Sequence, residues 1–165
     1  MRQIRLHDTA SGGLRELEPR DPGRVGIYAC GPTVYDAIHV GNARPFVVYS
    51  LLKRFLEHEG LATTLVVNVT DVNDKIYDAA RPLGVPSEQL AAEMTQRYLD
   101  DTGALGLGRP DVEPLASTSI EPIVALIADL IERDAAYAVD GDVHFRVRAD
   151  AGYGSLSHRR VDDMD

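Results

Sequence analysis

The run RVGIYAC (24–30), the loop GPTVYDAIHVGNAR (31–44) and the run ATTLVVNV (62–69) decide the fold. The first is a short apolar strand entered through the turn signal Asp21-Pro22-Gly23. The last is rich in β-branched residues, which pack well on a pleated surface, and reads as a second strand. Between them the spacing predicts a helix over about 42–59. Pro45 falls in its first turn, Phe46, Leu51, Leu52, Phe55 and Leu56 form its apolar stripe, and Gly60 follows its end. Strand, helix and strand within so short a span make a βαβ unit, whose two strands must run parallel. In open α/β sheets ligands bind beyond the carboxyl ends of the strands. Cys30 and Thr70, though far apart in the chain, are thereby expected on one rim.

Beyond this unit the chain turns mostly helical. Ser87, after Pro86, is placed to cap a helix over about 88–101. GALGLGRPDVEP (103–114) reads as a loop and as the seam between regions. A further helix is expected from 117–119 to about 133, burying Ile123, Leu126, Ile127, Leu130 and Ile131. Asp140-Gly141-Asp142 separates two short apolar runs and signals a hairpin. Residues 149–165 lack an apolar period and read as a loop or frayed tail.

A chain of 165 residues with 44% hydrophobic and 26% charged residues can build one ordinary core, with room for a small insertion. No apolar run is long enough to cross a bilayer, so no membrane association is expected. The first twenty residues lack the apolar core of a secretory signal. One cysteine excludes an internal disulfide framework and fits a reducing, cytoplasmic setting. The net charge of −9 argues against broad, non-specific nucleic-acid binding, which needs a basic surface.

Three stretches carry chemistry. His39-Val40-Gly41-Asn42 places a His and an Asn on one face of a helix N-terminus, which suits a phosphate. A capped helix with an incidental His is the plainer alternative. Cys30 is either a small core hydrophobe at a strand end or a soft zinc ligand. If it binds zinc, its partners lie mainly outside these residues, since there is no second Cys and His7, His58, His144 and His158 are scattered. Val69-Thr70-Asp71-Val72-Asn73-Asp74-Lys75-Ile76 is either a site rim or an ordinary strand-to-helix turn. No GxxxxGK[ST] occurs, so a P-loop is excluded.

Taken together, CGPTVYD (30–36), HVGNARP (39–45) and NVTDVNDKI (68–76) resemble the cysteinyl-tRNA synthetases, and RPDVEP and YGSLSHR fit the same pattern. The resemblance covers nearly the whole chain. It implies a class I, Rossmann-type α/β catalytic fold, with its first half in residues 1–94. Residues 95–165 then begin the connective-peptide insertion, disordered or truncated at its C-terminal end. It further implies that HVGN stands for the family's HIGH signature, with His39, Gly41 and Asn42 at ATP and His39 and Asn42 catalytic. Cys30, Gly31, Thr33 and Thr70 would bind cysteine, and Cys30 would be the first ligand of a zinc ion. A soft metal accepts sulfur and rejects the hydroxyl of serine. The partners implied are cysteine, ATP with Mg²⁺ and, for the full-length enzyme, cysteine tRNA, acting on a monomer.

Two departures stand out: Asn42 occupies a position that is His in many class I enzymes, and Asn73 one that is often Asp. The other zinc ligands, the KMSKS loop and the tRNA-binding domains are absent from these residues. The chain alone is therefore expected to lack a closed zinc site, to bind tRNA weakly and to be incompetent as an ATP-dependent, AMP-forming cysteine–tRNA ligase. Rival readings are a related cysteine ligase of mycothiol-type thiol biosynthesis, a nucleotidyltransferase with an HxGH motif, and a non-catalytic truncated paralogue.

Overall fold

A computed structural model describes residues 2–163. Met1, Met164 and Asp165 lie outside the described residues, and with them the last two positions of the expected tail. The strands are β1 (Arg5–Asp8), β2 (Gly13–Glu16), β3 (Arg24–Ala29), β4 (Ala62–Val67), β5 (Ala136–Val139) and β6 (Asp142–Phe145). The helices are α1 (Val40–His58), α2 (Asp74–Leu83), α3 (Ser87–Ala104) and α4 (Ile120–Glu132). The class is mixed α/β.

β3, α1 and β4 form the expected βαβ unit. The strands pair in parallel, from Arg24 opposite Ala62 to Ala29 opposite Val67. One face of the pair buries Ala29, Leu65 and Val67, with Ile27, Phe46 and Tyr49 packed against them. Burying a side chain the size of Leu or Val contributes roughly 1.5–3 kcal/mol, so this face anchors α1.

The apolar stripe of α1 is rotated from its expected position. Leu56 is buried and Phe46, Tyr49 and Leu52 are partly buried, but Leu51 is 64% exposed. Positions 46, 49, 53 and 56 keep helical spacing toward the sheet, whereas 48, 51 and 55 lie on another side. The helix also starts two residues earlier than the spacing predicts, which moves Pro45 into the second turn. Its missing N–H leaves the Gly41 carbonyl without an i+4 donor.

Residues 106–116 are not a loose seam. Val67 and Val69 donate their N–H groups to the carbonyls of Val112 and Pro114, at 3.1 and 2.9 Å. Val112 and Leu115 bridge in parallel to Val66 and Val69. The segment thus lies along β4 as an irregular third strand. Asp111 fixes it by accepting from the Leu65 N–H at 2.7 Å and from Lys53 Nζ on α1 at 2.6 Å. Ser50 Oγ adds a 2.7 Å bond to the Leu107 carbonyl.

α2 and α3 pack as one body, with Val34, Val69, Ile76, Ala80, Leu90, Ala91 and Tyr98 as its core. Pro86, not Ser87, is the N-cap of α3, and no side chain caps it. The seam expected between 94 and 95 falls inside α3. By compactness the described chain divides instead into Pro19–Ser119 and a second unit of Arg2–Glu18 with the residues from Ile120 onward.

In that second unit β1 and β2 form an antiparallel hairpin that the sequence reading did not identify. β5 and β6 form the hairpin expected from Asp140-Gly141, both of which take the positive φ that such a tight turn requires. Residues 149–163 form turns and a short 3₁₀ helix.

Candidate active site

The site begins where β3 and β4 end. Ala29 still faces Val67, yet the next paired residues are Thr33 and Thr70. Three residues on one side, 30–32, therefore stand opposite two on the other, and the extra residue bends the chain outward. Pairing continues beyond the bulge: Thr70 N–H donates to the Pro32 carbonyl at 2.9 Å and Val34 N–H to the Thr70 carbonyl at 3.2 Å. Gly31 is required at the crossing. A Cβ on it would stand 1.6 Å from the Asn68 carbonyl oxygen. The rim predicted from topology is thus present, with Cys30, Gly31, Thr33 and Thr70 on it.

The opposite wall is the start of α1. His39 is its N-cap: ring Nδ1 accepts from the Gly41 N–H at 3.0 Å. Asn42 Oδ1 reaches back to accept from the His39 N–H at 3.3 Å, completing a capping box. Gly41 permits this fold-back, since a Cβ there would lie 2.8 Å from the imidazole. The first-turn N–H groups are therefore less free than a bare helix end implies. Gly41 donates to the ring, and Asn42 and Ala43 donate to the His39 carbonyl at 2.9 and 3.0 Å.

The same bonds fix what the side chains can still do. With Nδ1 accepting, the neutral imidazole carries its proton on Nε2. With Oδ1 accepting, the Asn42 amide keeps its NH₂ as a donor. His39 is left with its Nε2 donor and Asn42 keeps both donors of its NH₂ group, which suits an anion.

These walls enclose a cavity of about 450 Å³ lined by Cys30, Gly31, Thr33, His39, Gly41 and Asn42 among others. Thr70 is not in the lining; it stands behind, holding Pro32 and Val34. Among the further lining residues that sequence reasoning gave no role are Tyr35, Asp36 and Lys75. Lys75 Nζ lies 5.7 Å from the Tyr35 ring centre, a cation–π pair. The signal was present, since Lys75 lies within the polar run that was singled out, and Tyr35 and Asp36 within CGPTVYD. Asn73 caps α2, accepting from the Lys75 N–H at 3.0 Å. Asp71 accepts from Ser117 N–H and Oγ, tying the rim to the residues before α4.

Cys30 is exposed, so it is not the core hydrophobe that was one of its two readings. Among the described residues no three His, Cys, Asp or Glu side chains converge as a metal group would require. One thiol does not make a zinc site, and these residues alone do not fit the ion.

A second cavity of about 230 Å³ is lined by Lys53, Tyr98 and Glu113 and shares Phe46 and Tyr49 with the first. Lys53 there is committed to Asp111 and Glu57. Burial pushes the Tyr98 phenol up to about 12 and raises the Glu113 carboxyl. This cavity belongs to the packing of the third strand.

A parallel strand pair with a polar cavity at its carboxyl rim and a His-x-Gly-Asn cap on the crossover helix is the arrangement of an α/β domain with its site at the strand ends. The model of the family described as tRNA synthetases class I (C) catalytic domain matches residues 16–165, and the chain belongs to that family. Relatives named cysteine–tRNA ligase include one from Geobacillus thermodenitrificans (strain NG80-2), 43% identical over 164 residues. That match covers 99% of this chain and 35% of the relative. Another, from Desulforudis audaxviator (strain MP104C), is 44% identical over 161 residues, covering 98% of this chain and 34% of its own. The chain spans about a third of the length of the curated relatives it matches. Among the described residues no helix is long and apolar enough to cross a membrane.

Proposed function

We propose that this chain supplies the amino-acid and nucleotide pocket of a cysteine–tRNA ligase. The observation that carries the reading is the single cavity in which the His39 Nε2 and Asn42 NH₂ donors stand across from Cys30, Gly31 and Thr33. In the reaction, the carboxylate of cysteine attacks the α-phosphorus of ATP, the bond to the β-phosphate oxygen breaks, and cysteinyl-adenylate and pyrophosphate form. A tRNA 3′ hydroxyl then displaces AMP. His39 Nε2–H and the Asn42 NH₂ would hold the phosphate oxygens and bind more tightly as negative charge builds during the displacement. Gly31 and Thr33 would hold the amino acid beside them with Thr70 backing them through Pro32 and Val34, so catalysis is positioning and charge stabilisation without a covalent enzyme intermediate.

ATP enters as its Mg²⁺ complex. In this reading Cys30 would be one ligand of a zinc ion, which would supply thiol selectivity when its remaining ligands come from elsewhere. The reading also carries a Rossmann-type sheet, of which β3, β4 and the third strand are the first part. In this reading the connective-peptide insertion follows, expected from about residue 95; the pairing of the segment before Ile120 with β4 favours a later start. Action as a cytoplasmic monomer belongs to the same proposal.

The test is cysteine-dependent exchange of labelled pyrophosphate into ATP by the complete polypeptide that contains these residues, with zinc and magnesium supplied. Exchange that needs cysteine, and not serine, is expected; none at all would overturn the reading. Charging of cysteine tRNA, against transfer to an amino sugar, separates it from the thiol-biosynthesis ligase.

A further inference from the structure

Asn68 belongs to none of the residues assigned above, yet it touches both sides of the rim. Its side-chain oxygen accepts from the Gly31 N–H at 3.1 Å and from Tyr28 Oη at 3.1 Å. Its side-chain nitrogen donates to Thr70 Oγ1 at 3.2 Å. The orientation of the amide is chemically forced. A backbone N–H can only donate, so the atom facing Gly31 must be the oxygen, and the nitrogen must then face Thr70.

Two consequences follow. The bond to Gly31 holds the bulged segment where strand pairing is interrupted: residues 30–32 face 68–69 without regular ladder bonds, and the side chain of Asn68 replaces one. The bond to Thr70 takes a lone pair of that hydroxyl, so the hydroxyl proton is left to point elsewhere. Thr70, which stands behind the cavity wall and bonds to Pro32 and Val34, is thereby held in place under the wall that faces a ligand.

An asparagine is poorly suited to a strand by propensity, and this one follows directly on the buried Val67. Its three bonds all serve the rim. We infer that Asn68 is a positioning residue for the amino-acid end of the pocket, acting through Gly31 and Thr70 rather than on the substrate. The inference rests on the cysteine-activating reading above.

The experiment is a double-mutant cycle in the complete polypeptide, measured by pyrophosphate exchange with cysteine and ATP varied separately. Asn68→Ala is expected to raise KM for cysteine by about 10- to 100-fold, the scale on which displaced positioning groups act. KM for ATP should change by less than about threefold, because His39 and Asn42 are untouched. Thr70→Val should raise KM for cysteine as well. If Asn68 acts through Thr70, the double variant should be no worse than the more severe single one by more than about threefold.

Independent, multiplying effects would overturn the inference. So would an Asn68→Ala protein with unchanged KM for cysteine, or one in which both KM values and the melting temperature shift together. Should Asn68→Ala fail to fold, Asn68→Asp keeps the acceptor for Gly31 and Tyr28 and alters only the Thr70 link; wild-type KM for cysteine in that variant would equally overturn it. Failure of the underlying reading is distinguishable, since the unaltered protein would then show no cysteine-dependent exchange at all.

Discussion

The two faces of the β3–β4 pair do different work with the same backbone. Toward α1 stand Ile27, Ala29, Leu65 and Val67, a small apolar set closed by Phe46 and Tyr49. On the alternate positions stand Tyr28, Cys30, Val66 and Asn68, where Tyr28 is 71% exposed and its hydroxyl bonds to Asn68. The period of two along each strand separates them. The covered face is specified by transfer free energy and tolerates any well-fitting apolar set. The other face is specified by donors and acceptors, where one wrong atom leaves a bond unmade. Fold and site are thus written on alternate residues of one strand pair.

The separation can be broken most sharply at the rim itself. His39→Ala should lower the pyrophosphate-exchange rate of the complete polypeptide by about 10²–10³-fold, the loss seen when one preorganised donor is removed. The circular-dichroism spectrum should stay native. A reduction under tenfold would remove His39 from the catalytic group. Leu65→Ala tests the covered face and should cost about 2–5 kcal/mol by urea denaturation, as Leu-to-Ala changes in packed cores do. Loss of cysteine binding at full stability in that variant would erase the distinction between the faces.

The smallest effect is expected at the strut between α1, β4 and the third strand. The Asp111 carboxyl is held below its ordinary range, first by the hydrogen bond from Leu65 N–H and then by Lys53. A lowered folded-state value means stability that is present above the unfolded value, about 4, and lost as pH falls through the lower folded value. Asp111→Asn should therefore be less stable than the parent at pH 7. The gap should begin to narrow below about pH 4, where the unfolded chain takes up the proton, and close as pH falls through the lower folded value. Because both partners are partly open to solvent, the difference should stay within about 1 kcal/mol. A gap that does not change between pH 7 and pH 3 would remove the carboxylate from the strut.

Much of this was legible from residues alone. The βαβ unit followed from the β-branched run at 62–69 and the apolar run at 24–30, because strand and helix periods differ so plainly. The shared rim followed from topology, and the His39–Asn42 stretch from its spacing. The third strand was not legible. Three glycines and two prolines in 103–114 read as punctuation, and only the geometry shows Val112 and Leu115 beside β4. Leu51 misled because α1 carries apolar residues on two sides, so a hydrophobic period cannot say which side meets the sheet. Nor could spacing show that His39 caps its own helix, since ring orientation is set by Gly41 and Asn42. The 24–69 core was easier to read than the N-terminal hairpin, whose two four-residue strands are too short to show a period.

His39 closes the Gly41 N–H with its own ring, and this sets evolution and engineering at odds. Asn, Asp or Ser caps a helix start well with a short side chain, whereas imidazole spends a long one on the same bond. A library at position 39 selected for thermal survival alone should therefore drift toward those short caps, and every winner would have discarded the Nε2 donor. Histidine would persist only under a selection that rewards the reaction, so its retention in a population of variants would itself report that the pocket is in use.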